Sequence, residues 1–291
     1  MTDTRHIRDT LYVTDLDGTL LDDCGRVSPR AIRILNALID RGVMFTCATA
    51  RTPATVQPLL RALHHSIPAV VMTGASMWNL NRQRYISPQL LPAAAAEAVA
   101  RICREAGINP FIYVLDEREA HLTVYHNGAC TRGEQRFIDE RRHLPLKRFC
   151  LDSKLGLEPY IPGTILIFAM GPKDVVFEAA ERVRATVDCS VSAYVDIFGE
   201  DTGILEVYHP GVSKAATIQA LASKLGVKRI VAFGDNLNDI PMMRIADEAY
   251  AVANALPEVK AVATEVIGSN LTDAVPRKIA SLCGLHPELI I

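Results

Sequence analysis

The sequence lacks the cysteine patterns and the long apolar runs that mark several classes of protein. Its seven cysteines are scattered and no Cys-x-x-Cys pair occurs, so we expect reduced thiols and no zinc site. No apolar stretch reaches the roughly 18 to 20 residues that cross a bilayer. Residues 1–10 are polar, without the apolar centre of a secretory signal. The prediction is a soluble, cytoplasmic protein with no membrane partner.

Signatures of nucleic-acid and nucleotide binding are also missing. The formal net charge is −2, so no basic excess points to a nucleic-acid partner. No Gly-x-Gly-x-x-Gly follows an apolar run and no Walker A sequence is present, which disfavours a dinucleotide-binding oxidoreductase. What remains is an ordinary globular composition, 49% hydrophobic over 291 residues, long enough for one large domain or two medium ones. Nothing in the sequence defines an oligomeric state.

Short apolar runs alternate with amphipathic stretches at both ends of the sequence. The runs lie at 11–14, 43–48, 69–72, 229–233, 249–252 and 265–267. This alternation predicts an α/β fold with a parallel sheet covered on both faces. The middle of the chain has shorter candidate strands and two candidate helices, which is typical of an inserted α+β module. The predicted organisation is a core formed by 1–80 and 209–291, with an inserted α+β domain at 81–208.

Two aspartates directly follow the first apolar run. Asp15 and Asp17 are two positions apart, so in extended backbone they can face the same side, and Gly18 lets the chain turn away. Ligands of an open parallel sheet bind outside the carboxyl ends of its strands, and paired carboxylates there suit a hard cation such as Mg²⁺. The alternative interpretation is a turn with two solvated aspartates.

A second acidic group follows the apolar run at 229–233. Asp235, Asn238 and Asp239 stand where a helix is predicted to begin. Helix capping by Asp235 or Asn236 is an adequate explanation of this segment alone. It does not explain acidic residues at the ends of two separate strands. If both ends meet, the resulting pocket is strongly negative and favours a cation.

Two further residues suit an anionic ligand. Thr49 follows the second apolar run, and its hydroxyl can donate to a phosphate oxygen, although it could also cap the helix that Thr52 and Pro53 begin. Lys214 stands in the first turn of a predicted helix, where its charge opposes the helix dipole. The two interpretations of Lys214 are an anion-binding residue and a solvated surface lysine.

In their order along the chain, these segments resemble the motifs of the haloacid dehalogenase (HAD) superfamily, and more narrowly of its Cof-type (subfamily IIB) phosphatases. The segments are DLDGTL at 15–20, Thr49, GVSKA at 211–215 and GDNLNDIPM at 234–242. The resemblance covers nearly the whole chain. It implies a Rossmann-like, three-layer parallel-sheet core with a C2B-type cap domain inserted between Thr49 and Lys214.

The resemblance also implies a role for each site residue. Asp15 is expected to be the nucleophile and Asp17 the general acid and base. The expected Mg²⁺ ligands are Asp15, the backbone carbonyl of Asp17, Asp235 and, through water, Asp239. The phosphoryl oxygens are expected to be held by Thr49, Lys214 and Asn238.

The chain departs from the Cof-type pattern at two positions. Ala50 stands where ATGR has glycine, and because alanine adopts positive φ less readily, the loop after Thr49 is expected to differ. Thr73 stands where NGA has asparagine, which is expected to alter a polar contact near the phosphate. Neither departure removes a residue with an expected catalytic role.

The predicted function is that of a Mg²⁺-dependent phosphatase. It would hydrolyse a small phosphorylated metabolite, a sugar phosphate or similar monoester, through an aspartyl-phosphate on Asp15. A like-charge pair at about 4 Å costs roughly 4 kcal/mol near a protein surface, and Mg²⁺ with Lys214 would offset that repulsion between Asp15 and the substrate. The alternatives are a phosphomutase or other phosphotransferase that uses Asp15 in the same way, and a catalytically silent protein that binds a phosphorylated ligand.

Overall fold

The computed structural model describes residues 9–151, 162–195 and 201–285. The chain divides into two compact units: Met1–Ile86 with Ser213–Ile291, and Ser87–Val212. The boundaries predicted from sequence, after residues 80 and 208, lie a few residues before these divisions. No helix in the described ranges has both the length and the apolar character needed to cross a membrane.

Strands and helices alternate along most of the first unit, and strands outnumber helices in the second. The strands are β1 (Thr10–Thr14), β2 (Met44–Cys47), β3 (Ala69–Val71), β4 (Ser76–Asn79), β5 (Arg84–Ile86), β6 (Pro110–Asp116), β7 (His121–His126), β8 (Lys147–Leu151), β9 (Thr164–Pro172), β10 (Ser190–Val195), β11 (Thr202–Tyr208), β12 (Arg229–Gly234), β13 (Glu248–Ala251) and β14 (Glu265–Val266). The helices are α1 (Pro29–Ile39), α2 (Pro53–Leu60), α3 (Ala93–Glu105), α4 (Arg132–Arg141), α5 (Lys173–Thr186), α6 (Lys214–Leu225), α7 (Ile240–Arg244), α8 (Pro257–Val262) and α9 (Ala274–Leu282).

The first unit is built on a five-stranded parallel sheet with the order β14-β13-β12-β1-β2. Every residue of β1 is buried, as expected of a central strand flanked on both sides. Because β1 and β12 are parallel neighbours, their carboxyl ends lie side by side, with Thr14 in register with Phe233. The parallel-sheet α/β fold predicted from sequence is confirmed.

Local sequence explains where the helices of this unit begin and end. The Ser28 hydroxyl accepts the backbone N–H of Ala31 and Pro29 occupies the first helical position of α1. Helix α6 has Ser213 as its N-cap and ends at Gly226, whose φ of 69° is left-handed. The two caps fix where α6 starts and ends. Its first residue is Lys214, one of the predicted site residues.

The third apolar run forms a different sheet from the one predicted. β3 meets the segment after β2 at a single parallel bridge, between Ala48 and Val70. It then pairs antiparallel with β4 in the separate sheet β3-β4-β5. The strand stops because Met72, predicted to be its last residue, has a φ of 52° and leaves extended backbone.

The second unit contains a six-stranded mixed sheet in the order β10-β11-β9-β6-β7-β8. Helices α3 and α5 pack on one face of it, where Val99, Val176, Ile167 and Leu205 share a buried cluster. Residues from the opposite face and from α4 form an aromatic cluster: Phe111, His126, Phe137, Phe149 and Phe168. The α+β character predicted for this part of the chain is therefore present.

Candidate active site

The carboxyl ends of β1 and β12 bring together an acidic cluster and a lysine. Oxygen atoms of Asp15, Asp235 and Asp239 lie within 4.8 Å of one another. The Lys214 Nζ donates to Asp15 Oδ1 at 2.6 Å and to Asp239 Oδ1 at 2.7 Å. Lys214, Asp15 and Asp239 are all buried. The lysine that could have been a solvated surface residue is therefore inside the cluster.

The Asp239 carboxylate has two structural roles. Its Oδ2 accepts the backbone N–H groups of Asp235 and Asn236, closing a capping box on the 3-10 turn Leu237–Asp239. Its Oδ1 faces Lys214. Capping and cluster formation were alternative interpretations of this segment, and here one side chain does both.

The cluster is electrostatically unbalanced. The cluster holds three carboxylates and one lysine, which pairs with two of them, Asp15 and Asp239. Burial and the charge of Asp239 hold the pKa of Asp15 well above its usual range, despite the pairing with Lys214. Burial also raises the pKa of Asp235 to about 6, although the Thr19 hydroxyl opposes this shift. Burial alone would lower the pKa of Lys214, but Asp15 and Asp239 outweigh it and raise that pKa. A group of carboxylates held in this way favours an added positive charge.

The donor set fits a hard divalent cation. Carboxylate oxygens are the ligands that Mg²⁺ prefers, and the metal is commonly bound by one or two carboxylates and several waters. Asp15 and Asp235 offer such oxygens, and the part-exposed Asp235 leaves room for water. A second group, Asp22, Asp23 and Cys24, has a similar spacing but lies on an exposed turn in which Asp22 already accepts two backbone N–H groups.

The Asp17 side chain lies outside the acidic cluster. Its carboxylate accepts two hydrogen bonds from Arg51, at 2.7 Å from Nε and 2.6 Å from Nη2, and is about half exposed. A bidentate arginine pair of this kind fixes the plane of a carboxylate as well as its position. Sequence reasoning did not find the partner, since Arg51 is distant in sequence and belongs to another loop.

Thr49 and Asn238 are placed differently. Thr49 is buried just beyond the end of β2, and its hydroxyl accepts a hydrogen bond from the Arg51 backbone N–H. It caps no helix, because Thr52 is the N-cap of α2. Asn238 is exposed, and no hydrogen bond joins its side chain to the cluster among the described residues. Its phosphate-binding role stays a prediction. Ala50 is not in a positive-φ conformation, so this departure leaves the loop unstrained.

Two supporting residues were missed by sequence reasoning. The Thr19 hydroxyl donates to Asp235 Oδ1 at 2.7 Å and so links the two acidic segments. The Asn254 amide donates to the Gly18 carbonyl at 2.7 Å. Thr19 stands in the segment 15–20 that resembled a family motif, yet neither residue type alone gave a reason to prefer this role to an ordinary turn.

Gly18 packs directly against the acidic cluster, which makes a substitution there informative. A Cβ on Gly18 would lie 2.4 Å from Asp235 Oδ2, on left-handed backbone with φ of 72°. We expect Gly18→Ala to lower the free energy of unfolding by about 2 to 3 kcal/mol, since the backbone costs about 1 to 2 kcal/mol and Asp235 must also move. Urea unfolding measures this.

Gly25→Ala is the matched control for that substitution. Gly25 has a similar φ of 68°, but a Cβ there would meet no described atom within 4 Å. This variant should lose only the backbone contribution. Equal destabilisation of the two variants would contradict the close packing of Gly18 on Asp235.

The chain matches a known family over most of its length. A model of the haloacid dehalogenase-like hydrolases matches residues 12–279. The chain therefore belongs to the haloacid dehalogenase-like hydrolase family. The sequence-based assignment to its Cof-type (subfamily IIB) phosphatases is confirmed as well.

Individual relatives are distant but nearly full-length. Pyridoxal phosphate phosphatase YbhA of Escherichia coli is 25% identical over 273 residues, covering 92% of this chain and 96% of that protein. The HMP-PP phosphatase of Serratia proteamaculans is 26% identical over 268 residues, covering 86% of each. The solved structure of a subclass IIB sugar phosphatase superposes with a TM-score of 0.71 at 21% identity, covering 97% of this chain and 100% of that chain. The structural likeness supports the fold, and the family and relatives support a phosphatase.

Proposed function

We propose that the chain is a Mg²⁺-dependent phosphatase that hydrolyses a small phosphate monoester through an aspartyl-phosphate on Asp15. The observation that carries the proposal is the buried contact of Asp15 with Lys214, inside a cluster that retains excess negative charge. A nucleophilic carboxylate beside a fixed ammonium and a cation-binding group is what attack on an anionic phosphoryl group needs.

The residues divide the work of the reaction by position. The Asp15 carboxylate would attack phosphorus, while Lys214 and the Thr49 hydroxyl would hold phosphoryl oxygens. Asp17 would give a proton to the leaving oxygen and later take one from water, with Arg51 orienting its carboxylate. Asp15, Asp235 and the backbone carbonyl of Asp17 would hold Mg²⁺, with Asp239 supporting the site through water, and the metal would offset phosphoryl charge when bound.

The substrate class follows from the family more than from the site. The relatives named above act on pyridoxal phosphate and HMP-PP, and the structural neighbour is a sugar phosphatase. Small phosphorylated metabolites are common to all of them, so we extend that class to this chain. We further propose that residues 81–208 act as a cap that selects the leaving group and that the protein is cytoplasmic.

Metal removal tests the proposal. Phosphate release from sugar phosphates, nucleoside monophosphates and pyridoxal phosphate should disappear in EDTA and return with excess Mg²⁺. Asp235→Asn should raise the Mg²⁺ concentration for half-maximal rate by at least about tenfold, because one anionic ligand becomes neutral. Asp247→Asn, an acidic residue near the other end of β12, should leave that concentration unchanged. Full activity of the chelated enzyme would reject the metal site.

A further inference from the structure

The segment between β3 and β4 has an unusual backbone that none of the roles assigned above explains. Met72, Thr73 and Gly74 have φ of 52°, 57° and 99° in succession. Left-handed backbone costs conformational energy for residues other than glycine, and most for a β-branched one such as Thr73. Asparagine tolerates such backbone better than threonine does. Such strain persists only where surrounding contacts impose it.

One side of this turn holds the loop that carries Thr49 and Arg51. The Thr73 N–H donates to the Thr49 carbonyl at 3.0 Å, and the Met72 N–H donates to the Arg51 carbonyl at 3.1 Å. The turn thus holds both ends of the Thr49–Arg51 loop. It thereby fixes a proposed phosphate ligand and the arginine that pairs with Asp17.

The other side of the turn holds the start of α6. The Thr217 hydroxyl donates to the Gly74 carbonyl at 2.8 Å, and Thr217 is buried. A Cβ on Gly74 would lie 2.4 Å from the Ser213 carbonyl oxygen, so the two backbones are in close contact. Ser213 immediately precedes Lys214, whose ammonium binds Asp15 and Asp239.

We propose that the left-handed turn Met72–Gly74 is a positioning device that sets the Thr49–Arg51 loop and Lys214 at a fixed separation, with Thr217 as the positioning residue on α6. No other described side-chain hydrogen bond joins the turn to α6. The inference rests on the proposed function, since it assigns what is positioned to phosphoryl transfer. Thr217 itself touches no proposed reacting atom and acts only through Gly74.

Thr217→Val tests the device because it keeps the shape of the side chain and removes the hydroxyl. We expect kcat to fall about tenfold with KM within about twofold, as the loss of one buried hydrogen bond moves Lys214 relative to Asp15. Thr217→Ser, which keeps the hydroxyl, should have the wild-type kcat. Thr46→Val is the matched control, since the Thr46 hydroxyl also donates to a carbonyl, that of Pro68 at 2.7 Å, in the same unit. Thr46→Val should keep wild-type kcat.

A second measurement does not depend on activity. Labelling of Lys214 by an amine-reactive acetylating reagent, mapped by mass spectrometry, should be several-fold faster in Thr217→Val than in Thr46→Val or wild type. If labelling and kcat in Thr217→Val both match Thr46→Val, the positioning role is wrong. If wild type shows no phosphatase activity but the labelling difference is found, the proposed function fails and the structural connection stands.

Discussion

Asp15→Asn should abolish phosphate release while leaving the fold intact. Asparagine has no anionic oxygen to attack phosphorus, and loss of a nucleophile costs at least about 10³-fold in kcat in enzymes of covalent mechanism. Folding should survive because Lys214 keeps its bond to Asp239 and because one of three crowded carboxylates becomes neutral. Steady-state phosphate release and the urea unfolding midpoint, taken together, check both halves of this expectation.

A trapping experiment and a control variant separate the loss of a nucleophile from the loss of a metal ligand. Acid-quenched wild-type enzyme, reduced with borohydride, should contain homoserine at position 15, since the reduction converts an acyl phosphate to an alcohol. Asp23→Asn, an exposed aspartate between β1 and α1, should retain full activity. Wild-type turnover by Asp15→Asn, or homoserine at another aspartate, would rule out Asp15 as the nucleophile.

The convergence of Asp15 with Asp235 is the part of the site that sequence could predict. Each follows a continuous apolar run, and parallel neighbouring strands end at the same edge of a sheet. A single rule about strand ends therefore places both residues. The first-turn position of Lys214 added a second reason, because a lysine there is unfavourable unless anions lie close to it.

The contacts of Arg51 and Thr73 could not be predicted in the same way. Both depend on where one loop lies relative to another, and no periodic pattern encodes that. The left-handed φ of Thr73 contradicts its residue-type preference, so only the surrounding hydrogen bonds could reveal it. Helix α4 was missed for a different reason. Only two helices were predicted for the middle of the chain, although the capping box of α4, Thr131 with Glu134, is visible in the sequence.

Lys147 is a charged residue that the structure nevertheless buries. It lies at the start of β8 and is 5% exposed. Its ammonium lies 5.6 Å from the centroid of the Tyr113 ring and 5.7 Å from that of Phe149. No carboxylate among the described residues pairs with it. Burial, with a smaller contribution from the charge of Arg141, lowers the pKa of Lys147 to about 7.

The depressed pKa makes Lys147 destabilising when it is charged. Below about pH 7 the folded state must keep a buried ammonium, so the full cost is present. As pH rises from about 7 towards the usual lysine value of about 10.4, the folded state loses its proton before the unfolded state does. The unfolded state then binds more protons, so the contribution of this residue to stability increases with pH over that window.

Lys147→Met should therefore stabilise the protein most at neutral and acidic pH. The methionine keeps an apolar stem and removes the charge, so we expect the free energy of unfolding at pH 6 to rise by about 2 kcal/mol, allowing for the lost cation–π contacts. The gain should shrink steadily between pH 7 and 10. Urea unfolding at a series of pH values measures it, with hydrogen exchange of β8 reporting on the second unit alone.

The comparison with an exposed lysine isolates the effect of burial. Lys173 lies in the same unit with its side chain 43% exposed, near Asp201. Because an exposed ion pair contributes little, Lys173→Met should change stability by no more than about 0.5 kcal/mol at any pH. A pH-independent difference for Lys147→Met would mean that the pKa of Lys147 is not depressed in the folded state. A loss of stability at pH 6 would mean that the ring contacts and the stem of Lys147 outweigh the cost of its buried charge.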